Sequence, residues 1–249
     1  MKKMSVGEIL KEAFLEQLFP YTCPFCHKVV SFRELYCASC AQDLHWVDER
    51  YCFRCGKLQC ECEESDNQLD GMIAALEYDE RVSKAIVDFK YHGYYQHVKA
   101  FTDIILTRYE KMGLNETFDG IAFIPMHPKQ LKKREYNHAE VLARSLAKNF
   151  RLPVFSAFKK TKQSVMQHML SREERRKNVE ESYELIGEPD FTGKTLLLCD
   201  DIVTTGATLN YCASLLRQCG AEKIYGILIA STQRKDIENG NYLLYNEEN

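Results

Sequence analysis

The stretch Leu196 to Leu209 reads LLLCDDIVTTGATL: an apolar run, two adjacent carboxylates, two more apolar residues, and a Thr-Thr-Gly-Ala-Thr turn that opens a helical pattern. A buried strand of this kind delivers Asp200 and Asp201 to its carboxyl end, where open α/β sheets hold their ligands. The turn of Thr204, Thr205, Gly206, Ala207 and Thr208 leads into a helix whose first amides have no partner within the helix and whose dipole favours an anion. Gly206 lets backbone approach that anion closely. An anion cradle a few residues from two hydrogen-bond-accepting carboxylates suits a phosphorylated sugar, with the phosphate on the turn and vicinal hydroxyls on the acids. A Walker-type nucleotide loop is excluded, because no Gly-Lys-Ser/Thr follows and no two glycines are spaced for it.

Cysteines form the second group with chemistry in it. Eight of eleven fall within forty residues, as Cys23-x2-Cys26 and Cys37-x2-Cys40, then Cys52-x2-Cys55 and Cys60-x-Cys62. Two-residue gaps let both sulfurs of a pair turn toward one ion, and four thiolates fill a tetrahedral zinc shell, leaving no position for water. The role this implies is structural, with metal binding supplying the folding energy of a segment too short for its own core. The order of the cysteines leaves the pairing between the two sets open, and His27 and His45 lie near enough to stand in for a thiolate. Cys199, Cys212 and Cys219 sit at a strand end and along a helix, as small apolar residues do.

Elements that would position these groups are visible as patterns. The start of the chain places Val6, Ile9, Leu10, Phe14 and Leu18 on one helical face and interrupts any leader-like apolar core with Glu8, Glu12 and Glu16. An acidic, aperiodic run from Cys60 to Gly71 reads as a linker and suggests a zinc-ribbon domain over 1–69 and a larger domain over 70–249. Beyond it, helical faces (Val82, Ala85, Ile86, Phe89; then 96–112; then 139–149; then 207–219) alternate with apolar runs at GIAFIP, KTLLLCD and KIYGILIAST. Strands apolar throughout and followed by helices predict a parallel sheet covered on both faces, an α/β domain. No apolar run approaches the ~18 residues of a membrane span. The overall charge is −3, yet residues 121–178 hold fourteen Lys or Arg against four acids, while 179–249 hold five against twelve. Such asymmetry, concentrated in connections between strands, marks a polyanion site.

Several segments together resemble a known family. LLLCDDIVTTGATL is similar to the loop that binds 5-phosphoribosyl 1-pyrophosphate (PRPP) in type I phosphoribosyltransferases, and its fusion to an amino-terminal double zinc ribbon resembles the ComF family, over nearly the whole chain. FKYHG at Phe89 to Gly93 resembles the family's Lys-Tyr-x-Gly segment and brings in Lys90. IPMHPKQLKKREYNHAEVLARSLA resembles its Arg-Gly-Phe-Asn-Gln element, matching Arg134 and Asn137, with Glu135, Tyr136 and His138 where the pattern has Gly, Phe and Gln. QHMLSREERRKNVEESYEL resembles a further element through Gln167, Leu170, Arg175 and Asn178.

The resemblance implies a five-stranded parallel sheet with a small hood, expected at Met72 to Ala100, and binding of PRPP with Mg2+. The 5-phosphate would sit on Thr204 to Thr208, and Asp200 and Asp201 would hold the ribose hydroxyls and organise the metal shell. Lys90, Arg134, Asn137, Arg175 and the basic connections would face pyrophosphate. Three functions follow. The first is transfer of phosphoribose to an acceptor, with Arg134 and the two acids in the chemistry and Asp200 or Asp201 as general base. The second is PRPP binding without turnover. The third, from the family's association with natural transformation, is a cytoplasmic factor in DNA uptake that handles single-stranded DNA beside a helicase-like partner, with Tyr91, Tyr94 and Tyr95 available to stack bases.

Overall fold

The computed structural model describes residues 20–31, 34–58, 60, 67–162 and 182–232. The predicted helical face from Val6 to Leu18, together with Cys62, Gln167, Leu170, Arg175, Asn178 and the carboxyl-terminal residues from 233, lies outside them. In chain order the elements are α1 (Ala38–Gln42), β1 (Gly71–Glu77), α2 (Glu80–Tyr91), a 3-10 turn (Tyr95–His97), α3 (Val98–Met112), β2 (Gly120–Phe123), α4 (Pro128–Arg134), α5 (His138–Phe150), β3 (Val154–Phe155), β4 (Phe158–Lys160), β5 (Tyr183–Leu185), β6 (Thr195–Cys199), β7 (Ile202–Val203), α6 (Ala207–Gln218) and β8 (Lys223–Ser231).

The main sheet runs in the order β1-β8-β6-β2-β3, with β7 also on β8, and every pairing in it is parallel. Side chains alternate across a strand, so each strand feeds two cores. Ile73, Ala75, Ile121, Phe123, Leu197 and Cys199 face one way, into a cluster with α2, α3 and α5. Met72, Ala74, Ala122, Leu196 and Leu198 face the other way, onto α6 and the antiparallel β4–β5 pair. Burial of both faces is why these strands read as continuous apolar runs. Helices α2 and α5 start where the sequence supplies a side-chain cap: Asp79 accepts from the Val82 amide at 2.8 Å, Asn137 from Ala139 at 3.0 Å.

The predicted parallel sheet and its flanking helices are present, but the hood is not where the sequence placed it. Met72 to Glu77 form an edge strand of the main sheet, registered on β8 from Gly71↔Tyr225 to Glu77↔Ser231. The segment after it continues as α2, whose Phe89 packs on Phe101 of α3, a helix that lies on the sheet. The run GMIAALE is rich in Met and Ala, weak strand formers, and its placement comes from burial on both sides.

Packing is continuous across residue 69. Trp46 bridges Leu76 in antiparallel sense, the Val47 amide donates to the Ala75 carbonyl at 3.0 Å, and the Glu77 amide donates to the His45 carbonyl at 2.8 Å. The cysteine segment thereby covers the open edge of β1. It also contributes to both cores, with Cys23, Phe25, Val30, Cys40 and Leu44 on one face, and Val47 and Tyr51 on the other.

Candidate functional site

β2 and β6 are neighbours, with Phe123 opposite Cys199, so their carboxyl ends open side by side. Asp200 and Asp201 follow β6 directly, and Asp201 is 5% exposed. Two side chains converge on Asp201: Lys90, from the last turn of α2, forms an ion pair with its Oδ2, and His138 Nε2, from the first turn of α5, lies 3.4 Å from its Oδ1. Burial would raise the Asp201 carboxyl, but Lys90 and then His138 outweigh it and hold the group well below the usual carboxylate range. Asp200 goes the opposite way. Burial and the negative charge of Asp201 push it well above that range. The pair therefore holds one proton, on Asp200, as close carboxylates in unequal surroundings do. Burial also lowers His138, which keeps its imidazole neutral against the partial restoring pull of Asp201.

The threonine-glycine turn lies immediately beyond. Gly206 adopts φ +79° and caps α6, and the first bond along this helix runs from the Asn210 amide to the Gly206 carbonyl at 2.9 Å. The amides of Ala207, Thr208 and Leu209 precede that bond and point out of the helix end, the arrangement an anion requires. Thr205 Oγ1 accepts from the Ala207 amide at 3.4 Å. Tyr183 of β5 contacts Thr208, and Lys160 Nζ lies 5.2 Å from the Tyr183 ring centroid, so a lysine from the basic 121–178 stretch borders the turn.

Three consecutive residues of α2 organise the other side. Phe89 offers its carbonyl to the Tyr136 hydroxyl, Lys90 holds Asp201, and the Tyr91 hydroxyl accepts a hydrogen bond from Arg134, whose guanidinium stacks on the Tyr91 ring 4.1 Å from its centroid. Tyr91 and His138 are the contributors that pattern reading did not place at the acids; FKYHG marked the segment, and His138 stood out only as a departure from Gln. Tyr94 stacks on His97, and Tyr95 meets Tyr136 edge-on. Asn137 is turned inward, with its amide donating to the Ile124 carbonyl at 3.0 Å while its oxygen caps α5, so it shapes the loop from β2 to α5. Glu135, where the resembling pattern has Gly, adopts φ +67°. The left-handed conformation explains that glycine, and here a glutamate carries the ~1 kcal/mol cost.

The thiols of Cys23, Cys26, Cys37 and Cys40 lie within 4.8 Å of one another, as do those of Cys52, Cys55 and Cys60. Sulfurs of Cys26 and Cys37 are 3.6 Å apart, as are those of Cys55 and Cys60, close to the ~3.8 Å that Zn–S bonds of about 2.3 Å impose in a tetrahedron. Cys52 to Cys60 supply three ligands of a second shell, and Cys62 lies outside the described residues. In the first Cys-x2-Cys pair of each set the residue after the second cysteine is left-handed, His27 at φ +58° and Gly56 at φ +69°. His27 is not a ligand in this arrangement; its Nε2 reaches Asp88 of α2 at 3.0 Å. His45 pairs with Asp79 at 3.3 Å.

With this geometry in place, the relatives become informative. Residues 137–242 match the model of the phosphoribosyl transferase domain, and residues 14–71 match that of the double zinc ribbon domain. Competence protein F of Haemophilus influenzae is 28% identical over 211 residues, covering 81% of this chain and 86% of that protein. DNA utilization protein YhgH of Escherichia coli O157:H7 is 24% identical over 201 residues, 76% of this chain and 86% of that one. A 55-residue stretch is 44% identical to ribose-phosphate pyrophosphokinase of Thermoplasma acidophilum, 20% of this chain and 19% of that protein. With its parallel sheet, its paired acids before a glycine-capped helix and its two cysteine knuckles, the chain belongs with the ComF-like proteins, a double zinc ribbon joined to a domain of the type I phosphoribosyltransferase fold.

Proposed function

We propose that the site binds PRPP. The observation that carries this reading is the buried acid pair, with Asp201 held by Lys90 and His138, beside a helix start opened by Gly206. The 5-phosphate rests on Thr204, Thr205, Gly206, Ala207 and Thr208, and the ribose hydroxyls donate to Asp200 and Asp201. Pyrophosphate lies toward Arg134 and Lys90; Arg175, which the family resemblance adds to this set, lies outside the described residues. Asn137 acts indirectly by fixing the loop that carries Arg134. The local likeness to an enzyme named for ribose phosphate supports the same ligand class.

Carboxylate oxygens of Asp200 and Asp201, grouped with His138 within 4.8 Å, are the hard donors that Mg2+ prefers. Mg2+ held there with PRPP would supply positive charge against the diphosphate and ease its departure. Asp201 is the ionised acid, so it rather than Asp200 takes the proton of an acceptor nucleophile that attacks the anomeric carbon as the bond to pyrophosphate breaks, while the carboxyl of Asp200 hydrogen-bonds the ribose. Arg134 stabilises the charge that develops on the departing group. Turnover is tested by pyrophosphate release from PRPP with Mg2+ across a panel of candidate acceptors; binding without release would make the protein a PRPP sensor.

The names of two relatives place them in competence and DNA utilization, which favours a second, compatible reading: a cytoplasmic role in DNA uptake, handling single-stranded DNA beside a helicase-like partner. Among the described residues no two cysteines are joined as a disulfide, and the sulfurs that lie close together fit zinc ligation in a reducing compartment. Among the described residues no helix is long and apolar enough to cross a membrane. DNA affinity that falls steeply with salt and survives Asp200→Asn would support this role, because such binding needs cations and aromatics rather than the acids.

A further inference from the structure

Lys57, two residues past Cys55 in the second knuckle, does not face solvent as a knuckle lysine ordinarily would. Its Nζ donates to the Thr232 carbonyl at 2.5 Å and to Thr232 Oγ1 at 3.2 Å, and reaches the Val203 carbonyl at 3.5 Å. These acceptors end β7 and the stretch after β8, and Thr204, the first residue of the threonine-glycine turn, follows Val203 directly. Val203 is 1% exposed and Thr232 is fully buried, so the ammonium closes a buried corner where two strand ends present carbonyls. The corner is tied in other ways too. The Thr232 amide and hydroxyl donate to the Val203 carbonyl at 3.0 and 3.2 Å, and Ser231 Oγ donates to the Gly56 carbonyl at 2.7 Å.

The knuckle in turn fixes Lys57. The Cys52 amide donates to the Lys57 carbonyl at 2.8 Å, and the Gly56 amide donates to the Cys52 carbonyl at 2.8 Å. Gly56 takes a left-handed φ, and a Cβ there would meet Met72 Sδ at 2.8 Å, so the knuckle sits tight against β1. A direct chain of bonds thus runs from the thiols of Cys52, Cys55 and Cys60, through Lys57, to the backbone from which the turn springs. The sequence offers no hint of it, since Lys57 and Thr232 are separated by 175 positions.

We infer that Lys57 is a positioning residue that fastens the turn at Thr204–Thr208 to the second zinc knuckle, so that metal at Cys52, Cys55 and Cys60 and an anion on the turn stabilise one another. The anion half rests on the placement of phosphate proposed above; the fastening does not. Such coupling is reciprocal by linkage: whatever orders the knuckle orders the turn, and the reverse. A charge-assisted hydrogen bond from an ammonium to buried carbonyls is strong enough for its loss to change local opening by about tenfold or more.

The test is amide hydrogen exchange on the full-length, zinc-loaded chain, comparing Lys57→Met, Lys57→Arg and wild type, with zinc content measured alongside. Peptides containing the amides of Asn210 and Thr232, bonded to the Gly206 and Val203 carbonyls, report on the turn, and a β2 peptide serves as control. Expected are about tenfold faster exchange at Asn210 and Thr232 in Lys57→Met, no change in β2, unchanged zinc content, and recovery in Lys57→Arg. Exchange at those amides equal to wild type in a folded Lys57→Met would overturn the inference. Should Lys57→Met fail to fold, Cys60→Ser carries the test. Losing metal from the second site must then loosen the same two amides, and their indifference would overturn the link. Ribose 5-phosphate, titrated in parallel, separates the two claims: absence of binding to wild type would count against the phosphate reading, while the exchange result still decides the role of Lys57.

Discussion

At the scale of single residues, the two neighbouring acids do different work. Asp201 is ionised and paired, its pKa depressed, so it contributes stability at pH values above the ordinary carboxylate range, which is lost as pH falls through its folded value. Asp200 has a raised pKa, so its contribution is present at low pH and is lost as pH rises. Single substitutions should therefore separate them in urea unfolding at pH 7. Asp201→Asn leaves Lys90 buried against a neutral group and should cost about 3–5 kcal/mol, whereas Asp200→Asn should be close to neutral or stabilising. Equal losses would contradict the assignment of the proton. This asymmetry also makes Asp200→Asn the better probe of ligand binding, because changing both acids at once also removes the partner of Lys90. Asp200, Asp201 and the turn after them were legible in the sequence, since strand, acids and turn are contiguous. The contacts of Lys90 with Asp201 and Tyr91 with Arg134 were not, because they join segments 111 and 43 residues apart, and only the fold brings them together.

At the scale of elements, function depends on how a few chain ends are held. Asn137 both caps α5 and ties it to the Ile124 carbonyl, so Asn137→Ala should lose about 1–2 kcal/mol by thermal or urea unfolding; a loss below about 0.3 kcal/mol would mean that neither bond contributes. The 3-10 turn before α3 carries a second dependence. Burial, then the nearby charge of His27, lowers His97 from 6.5 to about 4, with Asp88 pulling the other way. A histidine held neutral in the fold stabilises it above its ordinary pKa, and that contribution disappears as pH falls from about 6.5 to 4, by as much as about 3 kcal/mol. His97→Gln should flatten the fall in unfolding midpoint across that window, and an unchanged pH profile would contradict the account. Long elements were legible because their patterns repeat: α3, α5, α6, β6 and β8 lie where the apolar spacing put them. Those that were not are short or compositionally weak. β3, β4 and β5 have two or three residues each, and β1, with two alanines in seven residues, carries no clear strand pattern against the hood that the resemblance implies there.

At the scale of the whole molecule, the knuckles are part of the sheet's architecture. They cover the edge of β1, enter both cores and reach the turn through Lys57, a role that composition could not show, because cysteine spacing specifies ligands but not what the knuckle leans on. Calorimetric unfolding of the zinc-loaded chain should show one cooperative transition, moved to lower temperature by a zinc chelator; two separated transitions would mean that ribbon and sheet fold independently. The central claim is that the sheet's carboxyl end binds PRPP, and titration calorimetry with PRPP and Mg2+ on wild type and Asp200→Asn tests it most directly. Expected is saturable binding at one site per chain, weakened about tenfold in the folded variant, as losing one carboxyl hydrogen bond to the ribose implies at about 1.4 kcal/mol. No heat from a folded, zinc-loaded wild type, or equal binding by Asp200→Asn, would contradict it.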